Sequence, residues 1–199
     1  MENSPAPMLT FARLAFGGWL LVEVLSWAKI LPLTLEFTWF GLVITGGVAW
    51  GTIELISWRL RKLGAQNLWG GTLLLVLVSQ CTDAGGDIFR MYGTYSWYDQ
   101  VAHLVGGAAI ALVFFNLLTS LHVAQRIRFG PGLRAWFAIM AAMAVGSLYE
   151  IEEYAEDILR HANRLGTAFD TANDMLCNSL GAVALVVLLV WIRQRRKLT

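Results

Sequence analysis

Long apolar stretches alternate along this chain with short polar connections. A hydrocarbon core about 30 Å thick is crossed by about 20 mostly apolar residues in a helix. Six stretches reach or approach that length, and each is predicted to be helical because lipid offers the backbone no hydrogen bonds. The predicted segments are Leu9–Leu31, Phe37–Ser57, Leu68–Ile88, Tyr98–Leu121, Ala135–Ile158 and Asn173–Arg193.

Composition supports a membrane protein. Of the 199 residues, 57% are apolar and 15% are charged, with a mean hydropathy of +0.57. Soluble domains carry about 45–50% apolar and about 25% charged residues. These values exclude a disordered chain, a collagen-like fibre and a disulfide scaffold, and they argue against an ordinary water-soluble enzyme. We therefore expect an all-α, polytopic membrane helix bundle of six transmembrane helices, with residues 1–199 forming a single integral membrane domain.

Charge divides between the two sides of this predicted bundle. Ten of the fifteen Lys and Arg residues follow the second, fourth and sixth segments, and eleven of the fourteen Asp and Glu residues lie at the opposite ends. Because cytoplasmic loops collect Lys and Arg, both termini are predicted to be cytoplasmic, in a bacterial inner membrane. The net charge of only +1 gives no reason to expect a nucleic-acid partner. The basic side holds Arg59, Arg61, Lys62, Arg126, Arg128, Arg134, Arg193, Arg195, Arg196 and Lys197.

Several acids on the predicted outer side are paired at helical spacing. Side chains three or four residues apart share a helix face, with Cβ atoms about 5–6 Å apart. Because ionisable groups within a membrane segment normally face the bundle interior, four helices are expected to gather these groups in one pocket below the outer face. The groups are Asp83 with Asp87, Asp99 with His103, Glu150 with Glu153, and Asp170 with Asp174 and Asn178.

So many carboxylates require cations nearby. Lys29, Arg90, Arg160 and Arg164 could neutralise some of them, and one or two divalent metal ions would neutralise more. Carboxylate oxygens with one imidazole suit Mn, Fe, Zn or Mg. Whichever of His103 and Glu153 is free of metal is predicted to act as the general base for water. The predicted metal ligands are Asp83, Asp87, Asp99, His103, Glu150, Glu153, Asp170 and Asp174.

A purely structural interpretation is also open. Polar pairs in membrane bundles form interhelical hydrogen bonds worth roughly 0.6–2 kcal/mol, and Asp99 or Asp170 could cap a helix. Cys81 and Cys177 fit either a disulfide or two buried thiols. The pattern also places some acids outside the site: Glu54 is expected to pair with Arg59 or Lys62, and Glu152, Glu156 and Asp157 to form the solvated face of a helix end.

Two motifs carry a family resemblance. The run YDQVAHLVGG resembles the D-x-x-x-H start of the YjdF-like inner-membrane family, and EIEEYAEDILRHANRLGTAFDTANDMLCNSLGA resembles its later half. The more distant VanZ-like proteins, linked to glycopeptide resistance, are similar in arrangement, although Glu153 replaces their Gln. The resemblance covers roughly Asp83 to Ala182 and implies a helix bundle with a polar site in residues 83–182, without an established reaction. The matching positions are Asp99, His103, Glu150, Glu153, Asp174, Asn178 and Gly181.

Three functional hypotheses follow. The first is a periplasm-facing, metal-dependent site that binds or modifies an envelope lipid or lipid-linked head group, as a membrane hydrolase or lipid-modifying enzyme whose partners are membrane lipids. The second is a non-catalytic subunit or assembly factor with a protein partner or a second copy of itself. The third is a cation or proton transporter, disfavoured because the inner half offers little beyond Glu54. Without a serine-nucleophile or Walker motif, covalent serine chemistry and ATP use are disfavoured.

Overall fold

The computed structural model describes residues 6–35, 37–161 and 164–195, and this part of the chain is entirely helical. Glu36, Arg196 and Lys197, which entered the charge argument, lie outside the described residues, as does the side chain of Arg193. The seven helices of the described part are α1 (Ala6–Trp27), α2 (Trp39–Lys62), α3 (Gly70–Ile88), α4 (Met91–Thr94), α5 (Tyr98–Val123), α6 (Pro131–Arg160) and α7 (Ala168–Arg195).

Five of these helices are long and apolar enough to cross a membrane, as in a polytopic helical membrane protein. The candidate spans lie in α1, α2, α5, α6 and α7. The remaining predicted segment, Leu68–Ile88, corresponds to α3, which is helical but is not among the candidate spans. Its second half carries Gln80, Asp83 and Asp87, which lower its hydropathy. That α3 crosses the bilayer stays a prediction.

Two apolar cores share α5 as their common wall. The first lies between α1, α2, α3 and α5 and includes Phe16, Leu60 and Leu73. The second lies between α5, α6 and α7 and includes Phe115 and Val186. The wall between them also carries a buried polar contact, in which Asn116 Nδ2 donates to Thr72 Oγ1 at 2.8 Å. The central position of α5 brings its first turns against α3, α6 and α7 at one end of the bundle.

Glycines allow α5 and α7 to approach closely, as small residues do between membrane helices. A Cβ at Gly107 would collide with the carbonyl oxygen of Asn178, and a Cβ at Gly181 would collide with that of Leu104. The backbones therefore touch at two levels. Gly106 is not needed for this close approach, because a Cβ there would make only ordinary van der Waals contacts.

Glu54 pairs with Arg13, so the prediction of Arg59 or Lys62 is wrong. Arg13 binds it with two hydrogen bonds of 2.6 and 2.8 Å, which join α1 to α2. Arg59 and Lys62 instead lie over the ring of Trp58. The physical reason is spacing. Side chains three or four residues apart lie side by side on a helix, whereas Arg59 and Lys62 are five and eight residues from Glu54 and do not lie beside it.

Candidate functional site

The turn that follows α6 positions Arg164, one of the residues of the site. His161 has a φ of 57° and ends the helix, so the chain folds back over its last turn. The Asp157 carboxylate holds that turn, accepting from the backbone N–H of Arg164 at 2.7 Å and of Leu165 at 3.0 Å. The Arg164 side chain, only 5% exposed, is thereby fixed against α6.

His103 forms the first of two polar clusters. Its Nε2 lies 3.4 Å from Asp99 Oδ1 and 3.8 Å from Asp174 Oδ1. Its Nδ1 lies 3.1 Å from Asn178 Nδ2 and 3.8 Å from Glu150 Oε1. We call these five residues, drawn from α5, α6 and α7, the His103 cluster. Three carboxylates thus surround one imidazole.

Several oxygens of the His103 cluster are buried without a usual partner. Glu150 is 5% exposed and Asp174 is 3% exposed. Both Glu150 oxygens and Asp174 Oδ1 accept no hydrogen bond of ordinary geometry from the described residues. Burial of a charged oxygen without a hydrogen bond is costly. The cluster therefore has acceptor atoms to offer a cation.

Three of these residues have donor atoms close enough to share one ion. One atom each from Asp99, His103 and Asp174 lies within 4.8 Å of the other two. A nitrogen and an oxygen each about 2.1 Å from one Zn²⁺ lie about 3.4 Å apart at the tetrahedral angle. The distance of 3.4 Å between His103 Nε2 and Asp99 Oδ1 agrees with that value. These three residues form the candidate metal centre.

Arg164 organises the second cluster. Its Nη1 lies 3.0 Å from Glu156, and its Nη2 lies 3.1 Å from Glu153 and 2.7 Å from the Tyr149 hydroxyl. Glu156 also accepts a short hydrogen bond from Thr38, which joins the start of α2 to the end of α6. Burial alone would lower the pKa of Arg164, but Tyr149, Asp83 and Glu153 outweigh that effect and raise it. The guanidinium therefore stays charged.

Tyrosines connect the Arg164 cluster to Asp83 on α3. The hydroxyls of Tyr149 and Tyr92 donate to the two oxygens of Asp83 at 3.0 and 2.9 Å. Burial, with the charge of Asp83 beside it, raises the pKa of Tyr92 well above its usual value, so this hydroxyl remains a donor. The Tyr149 ring also contacts the His103 ring edge-on, with 5.8 Å between centroids. Tyr149 thus touches both clusters.

A cavity of about 830 Å³ lies between the two clusters and continues between the helices. Five of the predicted ligands line it, namely Asp83, Asp99, His103, Glu153 and Asp170. Arg164, Tyr149 and Glu152 line it as well. The structure therefore brings most of the predicted residues around one space, with Glu150 and Asp174 behind His103.

The remaining predicted ligand, Asp87, lies elsewhere. It is buried and accepts the backbone N–H of Phe37 at 2.8 Å, so it holds the start of α2 instead of lining the cavity. Asp170 is half-buried beside Gly166, where a Cβ would collide with its carboxylate and where φ is +66°. Glycine is therefore required at this turn.

Paired spacing does not keep paired residues in one cluster. Glu150 faces His103, whereas Glu153 faces Arg164. Asp83 binds tyrosines, whereas Asp87 binds the backbone. Each helix has neighbours on both sides, and a three- or four-residue step still leaves two side chains free to turn toward different ones. Spacing therefore predicts nearness but not the partner.

Some acids have roles that the sequence pattern did not indicate. The expectation that Glu156 lies on a solvated helix face is wrong, because it is 3% exposed and bound to Arg164. Glu152 is half-buried and lines the cavity. Glu156 could have been found from its four-residue spacing to Glu152 and three-residue spacing to Glu153, which continues the same face. Cys81 and Cys177 are both free thiols in the structure.

Comparisons with known proteins agree with this picture at the level of the family. Neither a search of curated proteins nor a search of solved structures found a match. A family model described as "Predicted membrane protein (DUF2238)" matches residues 13–195, which include both polar clusters and nearly the whole helical bundle. The YjdF-like resemblance is consistent with this match. The chain therefore belongs to this family of predicted membrane proteins.

Proposed function

We propose that this protein binds a divalent metal ion at Asp99, His103 and Asp174 and acts there on the polar head group of an envelope lipid or lipid-linked molecule. In this proposal the protein lies in the bacterial inner membrane with both termini cytoplasmic, and the cavity opens toward the periplasm. Two further predictions belong to this proposal: residues 1–199 form a single integral membrane domain, and the chain is distantly related to the VanZ-like proteins.

One observation carries the proposal: three donor atoms from α5 and α7 converge within 4.8 Å of one another. Two of the three residues, His103 and Asp174, are 6% and 3% exposed. A bound cation would compensate this buried excess of carboxylates. When bound, a divalent ion would supply a Lewis acid that sharpens the acidity of water or holds a phosphate or carbonyl oxygen. Mn, Fe, Zn and Mg all remain compatible with this donor set.

Neighbouring residues support the orientation that a metal-binding histidine needs. An ion on His103 Nε2 requires the ring proton to be on Nδ1. In the structure Asn178 Nδ2 lies 3.1 Å from Nδ1, and Glu150 Oε1 lies 3.8 Å from it; an Asn178 amide turned so that its oxygen faced the ring would accept the Nδ1 proton. Such partners fix the tautomer and the ring orientation of a ligating histidine. We therefore assign Glu150 and Asn178 as positioning residues.

The general base is the part of the hypothesis that the geometry modifies. A histidine that binds the ion cannot also accept a proton at the same nitrogen. The Glu153 carboxylate accepts a hydrogen bond from Arg164 Nη2 at 3.1 Å, so one of its oxygens is already engaged by the guanidinium. We therefore assign Glu153 to holding Arg164 beside the cavity rather than to proton transfer. Arg164 in turn offers a fixed positive charge near the space that a head group would enter.

Metal analysis of the purified protein tests the proposal. We expect about one equivalent of divalent metal in the wild type after exchange into metal-containing buffer and removal of excess ion. His103→Ala is expected to lose more than about tenfold in metal affinity, because changing only an outer-shell partner of a ligand already costs about 10–100-fold. His122→Ala is the matched control, because His122 lies at the other end of α5.

The outcomes separate the site from the structural alternative. Equal and negligible metal in the wild type and both variants would contradict the metal centre. Loss of folding in His103→Ala, measured by thermal unfolding in detergent, together with absence of metal in the folded wild type, would favour the non-catalytic interpretation. A folded His103→Ala protein that has lost its metal supports the proposed function.

A further inference from the structure

The cavity continues well beyond the polar clusters. Along α5 its lining runs from Asp99 to Phe114, a distance of about 22 Å at 1.5 Å per residue. Its outer part is polar, whereas its inner part is lined by apolar side chains and small residues. The far end is closed by Ile53, Val76 and Val113, which belong to the buried first core. We call this inner part the apolar slot.

The apolar slot also opens sideways. Ile44, Val48 and Leu148 line the cavity, yet they are 43%, 63% and 62% exposed. They lie on α2 and α6, both of which are candidate membrane spans. The side opening therefore faces the region that hydrocarbon occupies in a bilayer.

The two ends of α2 are fixed while its middle stands away from α6. At the outer end Thr38 binds Glu156. At the other end the Leu63 carbonyl accepts from Arg126 Nη2 at 3.0 Å, in the connection between α5 and α6. Between these two attachments the slot separates α2 from α5 and α6. Because α2 is attached at both ends, the gap beside its middle belongs to the fold and does not result from a loosely packed helix.

We propose that the apolar slot holds one hydrocarbon chain of a membrane lipid whose head group lies at the two polar clusters. The slot is apolar, reaches into membrane-spanning helices and is continuous with a charged site. Half of a hydrocarbon core about 30 Å thick is about 15 Å. The whole cavity runs about 22 Å along α5, so it has room for a head group at its polar end and for part of a chain of one leaflet beyond it. The position of the head group in this assignment rests on the proposed function. The assignment restricts the substrate to lipids in which one hydrocarbon chain can enter the slot by itself.

A lipid with a diazirine near the end of one acyl chain tests the slot directly. Phosphatidylglycerol carrying this group is mixed into phosphatidylethanolamine and phosphatidylglycerol vesicles that contain the protein, and adducts are mapped after illumination. We expect adducts at the closed end of the slot, at Ile53 and Val113. Leu14 on α1, which is 71% exposed, reports ordinary lipid around the bundle.

A matched pair of variants on α2 gives the comparison. Ala49 lines the slot, so Ala49→Phe fills it. Gly51 has no heavy atom within 4 Å of an added Cβ and does not line the cavity, so Gly51→Phe places the same ring outside. Removing the space for two methylene groups lowers binding by about tenfold. We therefore expect slot adducts to fall about tenfold in Ala49→Phe and to remain in Gly51→Phe.

Each outcome decides the question. Slot adducts that are no more frequent than those at Leu14, or that are unchanged by Ala49→Phe while both variants stay folded, would overturn the inference. A helix from another protein found cross-linked in the slot would overturn it as well. Slot adducts that persist in His103→Ala support it independently of the metal. Metal binding without slot adducts would leave the proposed metal centre standing and reject the slot alone.

Discussion

Charge around the cavity is balanced unevenly between the two polar clusters. Around Arg164, one guanidinium meets the carboxylates of Glu153 and Glu156 and the hydroxyl of Tyr149. Around His103, one imidazole meets three carboxylates, two of them with buried oxygens that accept no hydrogen bond of ordinary geometry from the described residues. The excess of negative charge is therefore concentrated at His103. That imbalance, more than the number of acids, places the proposed ion there.

Arg164 is expected to stabilise the fold. Arg164→Ala leaves Glu153 and Glu156 buried without their partner, and breaking a buried ion pair in this way costs about 3–5 kcal/mol. We expect a clear fall in the thermal unfolding temperature of the detergent-solubilised protein. Arg160→Ala is the control, because that exposed arginine lies over the ring of Phe40 and makes no ion pair that the structure shows among the described residues.

A rescue variant makes the Arg164 prediction specific. Replacing Glu153 and Glu156 by Gln in the Arg164→Ala background removes the unpaired charges, so part of the lost stability should return. An unfolding temperature for Arg164→Ala equal to that of Arg160→Ala would show that the buried pairs contribute nothing.

The sequence predicts some of these residue contacts and not others. Asp99 and His103 are four residues apart on one helix, and their atoms lie 3.4 Å apart. Contacts between helices are different, because helix rotation decides which neighbour a side chain meets. Arg164 belongs to a loop whose path depends on the positive φ of His161 and on Asp157, neither of which has a periodic signal. The sequence indicates Arg164 as one of four cations that could neutralise the acids, but its partners Glu153 and Glu156 had to come from the structure.

At the scale of elements, the contact between α5 and α7 controls the geometry of the proposed site. His103 and Asp174 lie on these two helices, and Gly107 and Gly181 set how closely the backbones approach. A separation increased by one methyl group would widen the distance between the donor atoms. The glycines thus link helix packing to the geometry of the proposed metal site.

Gly181→Ala is expected to weaken this contact. Its Cβ would collide with the carbonyl oxygen of Leu104, and forcing extra volume into a packed interface typically costs about 1–3 kcal/mol. We expect a lower unfolding temperature and weaker metal binding. Gly51→Ala is the control, because its Cβ meets nothing within 4 Å and alanine favours a helix by about 0.5–1 kcal/mol. Equal stability of the two variants would show that α5 and α7 have room to separate.

Hydrophobic pattern alone predicts the main elements well. Each of the six predicted segments overlaps a helix, and the ends differ by a few residues. The helices α2, α5, α6 and α7 continue past their predicted ends, whereas α1 ends at Trp27, before the predicted Leu31 and just before the positive φ of Lys29. The predicted segment Asn173–Arg193 corresponds to α7, which begins earlier, at Ala168. The hydrophobic pattern missed the first turn because that turn carries the polar Asp170. The short α4 went unpredicted, since four residues leave no periodic signal. Elements therefore follow from pattern, whereas their rotation about their own axes does not.

At the scale of the whole molecule, the two ends of the bundle differ in charge. The acidic clusters lie at the end formed by the starts of α5 and α7 and the ends of α3 and α6. The connections between α2 and α3 and between α5 and α6 lie at the other end, with Arg61, Lys62 and Arg126. This polarity is the basis of the proposed orientation.

Single-cysteine accessibility tests that orientation. In a background with both native cysteines replaced by serine, Ser96→Cys lies in an exposed stretch at the acidic end, and Gln66→Cys lies in an exposed stretch at the basic end. A membrane-impermeant maleimide added to intact cells with a permeable outer membrane should label Ser96→Cys and leave Gln66→Cys unlabelled until the membrane is broken. The reverse pattern would place the polar site on the cytoplasmic side.

The proposed metal centre is tested most directly by the coordination of the ion itself. X-ray absorption at the zinc edge, on wild-type protein loaded with one equivalent of Zn²⁺, reports the atoms bound to it. We predict one imidazole together with oxygen ligands at about 2.0–2.2 Å, and loss of the imidazole signal in His103→Ala but not in His122→Ala. A zinc environment without imidazole in the wild type, or one unchanged by His103→Ala, would contradict the proposal that Asp99, His103 and Asp174 share one ion.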